Sequence, residues 1–457
     1  MIKEQSDYGS DKLYSAILLS VSMFFYLFYA YYDGVIICVD SPGYIDMYIH
    51  REPLYCTFLG LLRKVFVGFS NDTLYLTAAV YIQSLLAALA AWCLAVYLKR
   101  EFKLSRFQTG VVLLIPLATS LLCRFAAKRA SMYSNSILTE GIACSLFLIY
   151  IRYLLEFYYT RSRKYLIISG ILSFVLISTR KQMYITLILL IIMTGWVYIA
   201  EKKIRKGILT GITCIICILS SNIIFDNGYN LLVHGELGTH SSDNRFLATM
   251  VIYTSERSLG DNIADENVRE LFYQIYDICD EQGYLKHSAE QGWYHRVNHF
   301  GDHYDNIQID TMGPIIHNYV YNNFQGSEIY LGKKVDAITN QMIKGLLPKT
   351  WIKVVSCFAD NFLAGLITTV AKNNPILNVY SLVVYIVYFT LLIVHIKFEG
   401  MTKLAFLTIY TIISIIVNVA VVSAVIFCQT RYTIYNMPLF YISLWLLLVK
   451  SSGKIKL

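Results

Sequence analysis

Residues 201–226 read EKKIRKGILTGITCIICILSSNIIFD, and this stretch decides the fold. A basic connector, residues 201–206, precedes an uncharged apolar run, residues 207–225, and Asp226 then opens an acidic segment. An uncharged run of this length can cross the roughly 30 Å hydrocarbon core of a bilayer as a helix. Because cytoplasmic loops carry an excess of Lys and Arg, the connector should lie inside and Asp226 outside.

Similar apolar runs recur along the chain. Of its 457 residues, 56% are hydrophobic and 15% are charged, whereas about a quarter of the residues in a soluble domain are charged. This composition excludes a soluble enzyme. We predict an all-α membrane protein with about ten transmembrane helices, at residues 13–32, 74–98, 107–123, 133–156, 165–179, 182–200, 207–225, 376–396, 404–427 and 433–450.

The loop charges predict the orientation of these spans. Basic connectors at residues 99–106, 160–164 and 201–206, and the basic tail, follow alternate spans. We therefore expect a multi-pass protein of the cell membrane with both termini in the cytoplasm. Residues 54–69 and 351–370 are also apolar but carry charge in mid-run, so we predict that both are helices at the outer interface and that neither crosses.

The charge distribution predicts three domains. Residues 226–350 contain 17 Asp and Glu against 9 Lys and Arg, while the whole chain has a formal net charge of +8. We expect an N-terminal module of seven spans, residues 1–225, with a catalytic first outer loop at 33–73. A mostly helical extracytoplasmic domain, 226–375, ends in the interfacial helix 351–370, and a three-span module, 376–457, follows. A basic membrane part beside an acidic outer domain does not indicate nucleic-acid binding.

Polar residues near the predicted span ends collect on the outer side. The first outer loop is acidic, and cations occupy three separate outer positions: Arg124, Lys128 and Arg129; Arg180 and Lys181; and Arg431. This pattern favours an anionic ligand, although lipid headgroups and side chains that extend to the interface are alternatives. Glu140 is expected about two turns inside the fourth span, where an acid needs a partner.

Other motifs are weaker. Cys214 and Cys217 form a CxxC inside an apolar run, where we interpret them as small lipid-compatible residues. His295, His299 and His303 recur every four residues, but Gly301 should interrupt their helix, and a solvated face is the favoured interpretation over a metal site. We expect no cofactor, although a divalent metal is compatible with the chain. No GxxxxGK[ST], GxSxG or HExxH motif occurs, so nucleotide hydrolysis and common hydrolase mechanisms lose support.

Four segments resemble one enzyme superfamily. VDSPGYIDMYIHREPLY, residues 39–55, resembles the first outer loop of the C-type glycosyltransferases, which include protein O-mannosyltransferases and lipid A aminoarabinose transferases. ILTEGIACSLFLIY, residues 137–150, resembles the helix that these enzymes often begin with a Thr-Glu pair. LISTRKQMY, residues 176–184, and QTRYTIYNMPLF, residues 429–440, resemble two later elements. Lys181 departs from the pattern, because the family often has proline there.

The resemblance implies an inverting transfer of a sugar from a polyprenyl-phosphate donor on the outer face. It implies Asp40 as the general base, with Asp46 and Glu52 as rival candidates, and Glu140 as a catalytic residue or as an orienting partner for a cation. A turn or helix-capping role is the alternative for Asp40. The expected phosphate ligands are Arg51, Arg124, Lys128, Arg129, Arg180, Lys181, Arg431 and Tyr432.

The acceptor site and the alternative functions are predicted less directly than the donor site. By composition alone, Trp293 and Tyr294 in the outer domain are suited to contact an acceptor, which could be a glycan, a lipid or a protein. An O-antigen-type polymerase or ligase that uses pyrophosphate-linked glycans is the main alternative function, but its characteristic residues lie in a late outer loop. A lipid or glycan transporter would place polar residues near the bilayer midplane.

Overall fold

The computed structural model describes residues 2–66, 73–126, 132–239 and 244–452. These residues form helices joined by short loops, and their β structure is one isolated bridge between Ile36 and Ser136. The chain divides into two compact units. The first unit comprises residues 1–226, 380–417 and 434–457, and the second comprises residues 227–379 and 418–433.

The helices follow one another in this order: α1 Ile2–Asp33, α2 Ser41–Ile45, α3 Pro53–Val65, α4 Leu74–Phe102, α5 Arg106–Ala126, α6 Glu140–Thr160, α7 Arg163–Thr179, α8 Tyr184–Ala200, α9 Ile204–His234, α10 Asn244–Thr254, α11 Glu266–Glu281, α12 Trp293–Asp305, α13 Gly313–Asn323, α14 Glu328–Val370, α15 Pro375–Glu399, α16 Lys403–Ser423, α17 Thr430–Thr433 and α18 Met437–Ser452. A π-helical segment, Asn306–Met312, joins α12 to α13.

Ten helices in the described part of the chain are long and apolar enough to cross a membrane, which confirms the prediction of an all-helical, multi-pass membrane protein. The set differs from the predicted spans at two positions. Helix α7 has 17 residues and is shorter than the ten. Helix α14 has 43 residues and is one of the ten by length and composition, although its second half was expected to lie at the interface.

Polar contacts at the two ends of the first unit show which helix ends lie together. At one end, Lys99 of α4 pairs with Asp11 of α1 at 2.7 Å, and Lys403 of α16 pairs with Glu101 at 2.8 Å. The Tyr159 hydroxyl of α6 also donates to the Lys403 carbonyl at 2.9 Å. We call this the basic-loop end, because the connectors 99–106 and 160–164 lie there. The other ends of α1, α4 and α6 form the opposite end.

Small residues allow close packing in the middle of the first unit. Helix α4 contacts α1, α5 and α6, and six of its alanines are buried: Ala79, Ala87, Ala88, Ala90, Ala91 and Ala95. In a bilayer the hydrophobic effect does not drive helices together, and van der Waals packing has to do so. Small side chains favour this packing because they let the helix backbones approach closely. Polar side chains then bond to neighbouring backbones, as when Ser22 donates to the Ala88 carbonyl at 3.1 Å.

The second unit has its own apolar core. Helices α10, α11, α13 and α14 contribute fully buried side chains, among them Val251, Phe272, Ile316 and Met342. Helix α14 also forms side-chain hydrogen bonds to its neighbours. The Thr350 hydroxyl donates to the Thr254 carbonyl of α10 at 3.1 Å. Further along, the Asn361 amide donates to the Ile426 carbonyl at 2.6 Å.

The histidine helix differs from the prediction. Helix α12 runs from Trp293 to Asp305 without interruption, so the expectation that Gly301 breaks it is wrong. A mid-helix glycine costs only about 1 kcal/mol, and here its missing side chain leaves room for Phe427, whose ring would lie 3.3 Å from an added Cβ. His299 is not on a solvated face, since its ring nitrogens lie 3.2 Å from the Tyr253 hydroxyl and 3.1 Å from the Gly283 carbonyl. Burial and the neighbouring His303 lower the pKa of His299.

Candidate functional site

The first loop, residues 34–52, holds Asp40 against an arginine. Arg51 Nη2 lies 3.1 Å from Asp40 Oδ1, and the two side chains are 23% and 31% exposed. The Arg51 guanidinium also lies over the ring of Tyr44, 4.7 Å from its centroid. Asp40 precedes α2 at its N-cap position, but its side chain makes no capping hydrogen bond. The Asp40 carboxylate therefore pairs with Arg51 and does not cap α2.

A glycine makes room for this ion pair. A Cβ on Gly43 would lie 2.6 Å from Arg51 Nε, so a side chain at residue 43 would force the Arg51 guanidinium to shift. In the part of the chain that the structure describes, Arg51 Nε is buried and has no hydrogen-bond partner. An N–H group of this kind is costly unless a ligand or water accepts from it.

The first loop is joined to the segment that precedes α6. Ile36 N donates to the Asn135 carbonyl and Ile137 N donates to the Ile36 carbonyl, each at 3.0 Å, which forms the isolated bridge. The Ser41 hydroxyl also donates to the Ile137 carbonyl at 2.8 Å. These bonds keep the start of α2, and hence Asp40, beside the start of α6.

Glu140 is the first residue of α6 and forms a buried ion pair. The expectation that it lies two turns inside the span is wrong, because Asn135 and Ile137 bond to the first loop and the α-helix begins only at Glu140. Arg180 Nη1 lies 2.8 Å from Glu140 Oε1, and the two side chains are 12% and 0% exposed. The same nitrogen donates to the Thr139 hydroxyl at 3.1 Å. A carboxylate at a helix N-terminus is also favoured by the helix dipole.

The first loop, the start of α6 and the turn after α7 meet around Tyr44. Burial raises the pKa of the Tyr44 phenol. Four charged side chains from these segments also act on that phenol electrostatically: Glu52, Arg51, Arg180 and Glu140. The Lys181 backbone N–H donates to Glu52 Oε1 at 3.1 Å, which ties the turn to the loop. The structure thus brings together residues that are up to 137 positions apart in sequence.

Gln83 of α4 is a residue of this site that the sequence analysis missed. Its side chain is fully buried; Oε1 accepts from the Tyr55 hydroxyl at 2.8 Å, and Nε2 donates to the carbonyls of Ser134 and Ser136 at 3.0 and 3.1 Å. A Cβ on Gly141 would lie 2.6 Å from its Cδ. The available signal was an amide inside an otherwise apolar span, because such residues need partners.

We predict that Gln83→Leu destabilises the protein by about 2–4 kcal/mol, because three buried polar groups lose their partner at once. Denaturant titration in mixed micelles, followed by tryptophan fluorescence, measures this loss. Ser84→Ala is the matched control, since the neighbouring Ser84 hydroxyl is buried without a partner among the described residues. Equal stability of the Gln83→Leu variant and the control would contradict the bridging role.

Arg124 forms an ion pair with Asp33. Two of its nitrogens lie 2.9 Å from the Asp33 carboxylate, and its guanidinium lies 5.4 Å from the Tyr29 ring centroid. This pair joins the end of α5 to the end of α1 at the same end of the first unit as the Glu140–Arg180 pair. Lys128 and Arg129 lie outside the described residues, so the predicted cluster of three cations is represented here by Arg124.

The remaining candidates belong to the second unit. Arg431 lies over the ring of Tyr432, 5.8 Å from its centroid, and the Tyr432 carbonyl accepts from Asn418 Nδ2 at 3.1 Å. Trp293 and Tyr294 begin α12 and are half-buried. Trp293 Nε1 donates to the Asp360 carbonyl at 3.2 Å. Asp360 also accepts two hydrogen bonds from Arg296, at 2.8 and 2.9 Å.

Chemically, the first-unit site offers a partly exposed carboxylate, two guanidinium groups and a buried acid. Guanidinium groups bind phosphate by charge-assisted hydrogen bonds, and a carboxylate can take a proton from a hydroxyl. Among the described residues, no group of three or more His, Cys, Asp or Glu side chains could hold a metal ion.

Comparison with known proteins adds no family to this description. No family model, curated protein or solved structure matches the chain. Its activity therefore has to be inferred from the arrangement of its own residues.

Proposed function

We propose that the protein is a membrane glycosyltransferase that moves a sugar from a polyprenyl-phosphate donor to an acceptor hydroxyl at the site around Asp40. The observation that carries the proposal is the position of Asp40 at the end of the spans. Its carboxylate is 31% exposed, is paired with Arg51 and makes no capping bond. A base at this boundary can reach both a water-soluble acceptor and a donor whose lipid chain lies in the bilayer.

Arg51 and Arg180 are the proposed phosphate ligands. The Arg51 side chain is 23% exposed, so part of its guanidinium is open to a phosphate oxygen. Arg180 is oriented by Glu140 at 2.8 Å. In this proposal Glu140 acts through Arg180, because its own side chain is fully buried. The two guanidinium groups stabilise the negative charge that develops on the leaving phosphate.

The proposed step is a direct displacement. The acceptor oxygen attacks the anomeric carbon of the sugar while its proton passes to Asp40. The bond between the anomeric carbon and the phosphate oxygen breaks, and its electron pair leaves with the polyprenyl phosphate. One displacement inverts the configuration at the anomeric carbon. Asp40 then releases the proton to water, to which its carboxylate is exposed.

Incubation of wild-type membranes with a radiolabelled pool of polyprenyl-phosphate sugars tests the proposal. We expect label to move from the lipid fraction to a water-soluble or lipid-linked product, with inverted configuration by NMR. Membranes with an empty vector are the control. Consumption of pyrophosphate-linked glycans, with none of the phosphate-linked sugars, would favour the polymerase or ligase alternative and overturn the proposal.

Trp293 remains a predicted acceptor contact. We expect Trp293→Ala to raise the KM for acceptor severalfold, up to about tenfold, since a stacked aromatic contributes about 0.5–1.5 kcal/mol, and to leave the KM for donor within twofold. Trp351→Ala is the control, because Trp351 is a 55% exposed tryptophan of the same unit. Equal losses for donor and acceptor would exclude a specific acceptor role.

A further inference from the structure

A small pocket of the second unit contains two cations that the proposed transfer step does not use. It encloses about 250 Å³ of empty space, part of it open to solvent. Lys286 and Arg296 line it together with Asp360, and the rings of Tyr253 and Phe300 form an aromatic wall. All of these residues belong to the second unit. The pocket is therefore a candidate site separate from Asp40.

Arg296 keeps one nitrogen available for a ligand. Its Nε and Nη2 donate to the Asp360 carboxylate at 2.8 and 2.9 Å. Nη1 takes no part in this pair and has no acceptor among the described residues, and the Arg296 side chain is 37% exposed. Because two nitrogens of a planar guanidinium are fixed by one carboxylate, the third nitrogen has a defined direction. Arg296 Nη1 is therefore a positioned donor on an exposed side chain.

Lys286 has only long hydrogen bonds. Its Nζ lies 3.4 Å from the Lys353 carbonyl and 3.5 Å from the Ser356 hydroxyl, whereas N–H···O bonds are usually about 2.7–3.2 Å long. The residue is half-buried, and no acid pairs with it in the part of the chain that the structure describes. An ammonium group has three N–H donors. Lys286 can therefore bond a stronger acceptor in the pocket.

The charged side chains of the pocket leave one positive charge in excess. Lys286 and Arg296 are cationic, and Asp360 is the one acid among the described lining residues. This excess stands out because residues 226–350 contain 17 Asp and Glu against 9 Lys and Arg. A carboxylate matches it, since it carries a single charge and two oxygens for two donors. A phosphate monoester carries about −1.5 to −2 charges at pH 7 and would reverse the sign of the pocket.

Trp293 lies next to this pocket. Its Nε1 donates to the Asp360 carbonyl at 3.2 Å, and Arg296 follows it by three residues on α12. Residues at this spacing lie on the same face of a helix. A ring that packs on the indole can therefore place a substituent at the pocket, and aromatic faces of this kind suit the apolar face of a sugar.

We propose that this pocket binds the carboxylate of a uronic acid in the acceptor glycan, through Arg296 Nη1 and Lys286 Nζ. A uronic acid carries its carboxylate directly on the sugar ring, so one residue can contact Trp293 and both cations. An acidic peptide side chain offers the same carboxylate but no ring for the indole. The role of the ligand as an acceptor rests on the proposed function, whereas its binding requires no sugar transfer.

Microscale thermophoresis of the full-length protein in detergent, without any sugar donor, tests the pocket with trigalacturonate as the probe. The fully methyl-esterified trisaccharide keeps the rings and removes the charges, and we expect it to bind about fivefold or more weakly. Lys286→Met should weaken trigalacturonate binding about fivefold, as expected for a partly exposed ion pair, and leave the ester within twofold. Arg296→Lys keeps a cation beside Asp360 but lacks Nη1, so it should weaken trigalacturonate binding severalfold.

Lys349→Met is the matched control, because Lys349 is an exposed lysine of α14 in the same unit. Its affinity for both trisaccharides should stay within twofold of the wild type. Equal affinities for the acid and the ester would overturn the proposal, and so would equal losses in Lys286→Met and Lys349→Met. Tighter binding of an acetylated tri-aspartate peptide than of trigalacturonate would assign the pocket to acidic peptides and also overturn it.

The same measurements separate this inference from the proposed function. Charge-dependent binding of trigalacturonate in a protein that transfers no sugar would support the pocket and count against the transferase. Sugar transfer by a protein that binds the acid and the ester equally would support the transferase and overturn the pocket.

Discussion

Replacing Asp40 with asparagine should reduce sugar transfer by at least about a hundredfold, because a positioned general base contributes about 10²–10⁴ to such rates. Asparagine has nearly the same shape and can still accept a hydrogen bond from Arg51, which lies 3.1 Å away, but it cannot take the acceptor proton. The fold should therefore survive. Transfer of label from polyprenyl-phosphate donors, normalised to the amount of folded protein, measures the loss.

The two rival acids of the first loop are the matched controls. Asp46 is exposed at the end of α2, and Glu52 accepts from the Lys181 backbone N–H. We expect Asp46→Asn to retain most of the activity and Glu52→Gln to retain part of it, since Gln can keep the bond to Lys181. Full activity of Asp40→Asn together with inactivity of Asp46→Asn would transfer the role of base to Asp46.

Hydropathy and loop charge were sufficient to predict the helical membrane fold. An uncharged run such as residues 207–225 crosses a bilayer as a helix, because a helix satisfies its own backbone hydrogen bonds. Composition therefore strongly determines the transmembrane helices. The first-loop and Thr-Glu segments were also singled out from sequence, and the structure joins them through the Ile36–Ser136 bridge. Their roles in catalysis stay predictions.

Pairing and helix boundaries could not be predicted, because both depend on tertiary contacts. The start of α6 at Glu140 is set by hydrogen bonds from residues 134–137 to Ile36, Ser41 and Gln83, and nothing local in the sequence encodes them. Gly301 likewise has a helix-breaking tendency of about 1 kcal/mol, yet α12 continues through it. Local helix propensities therefore predict helix boundaries poorly where tertiary packing determines them.

Replacing Arg180 with methionine should destabilise the protein by about 3–5 kcal/mol, because it leaves the fully buried Glu140 carboxylate without its counter-ion. The loss is measured by denaturant titration in mixed micelles. Arg163→Met is the control, since Arg163 begins the same α7 at its other end and is exposed. Exposed arginines away from such pairs usually change stability by less than about 0.5 kcal/mol.

The double variant Glu140→Leu with Arg180→Met separates stability from function. Removing both charges takes away the attraction and the desolvation cost together, so apolar replacements of a buried pair are often neutral or stabilising. We expect the double variant to recover most of the stability that Arg180→Met loses, yet to remain inactive in transfer because the phosphate has lost a guanidinium ligand. Recovery of both properties would show that the pair is only structural. Failure to recover stability would mean that the bonds of Arg180 to Thr139 and Gln182 contribute more than its ion pair does.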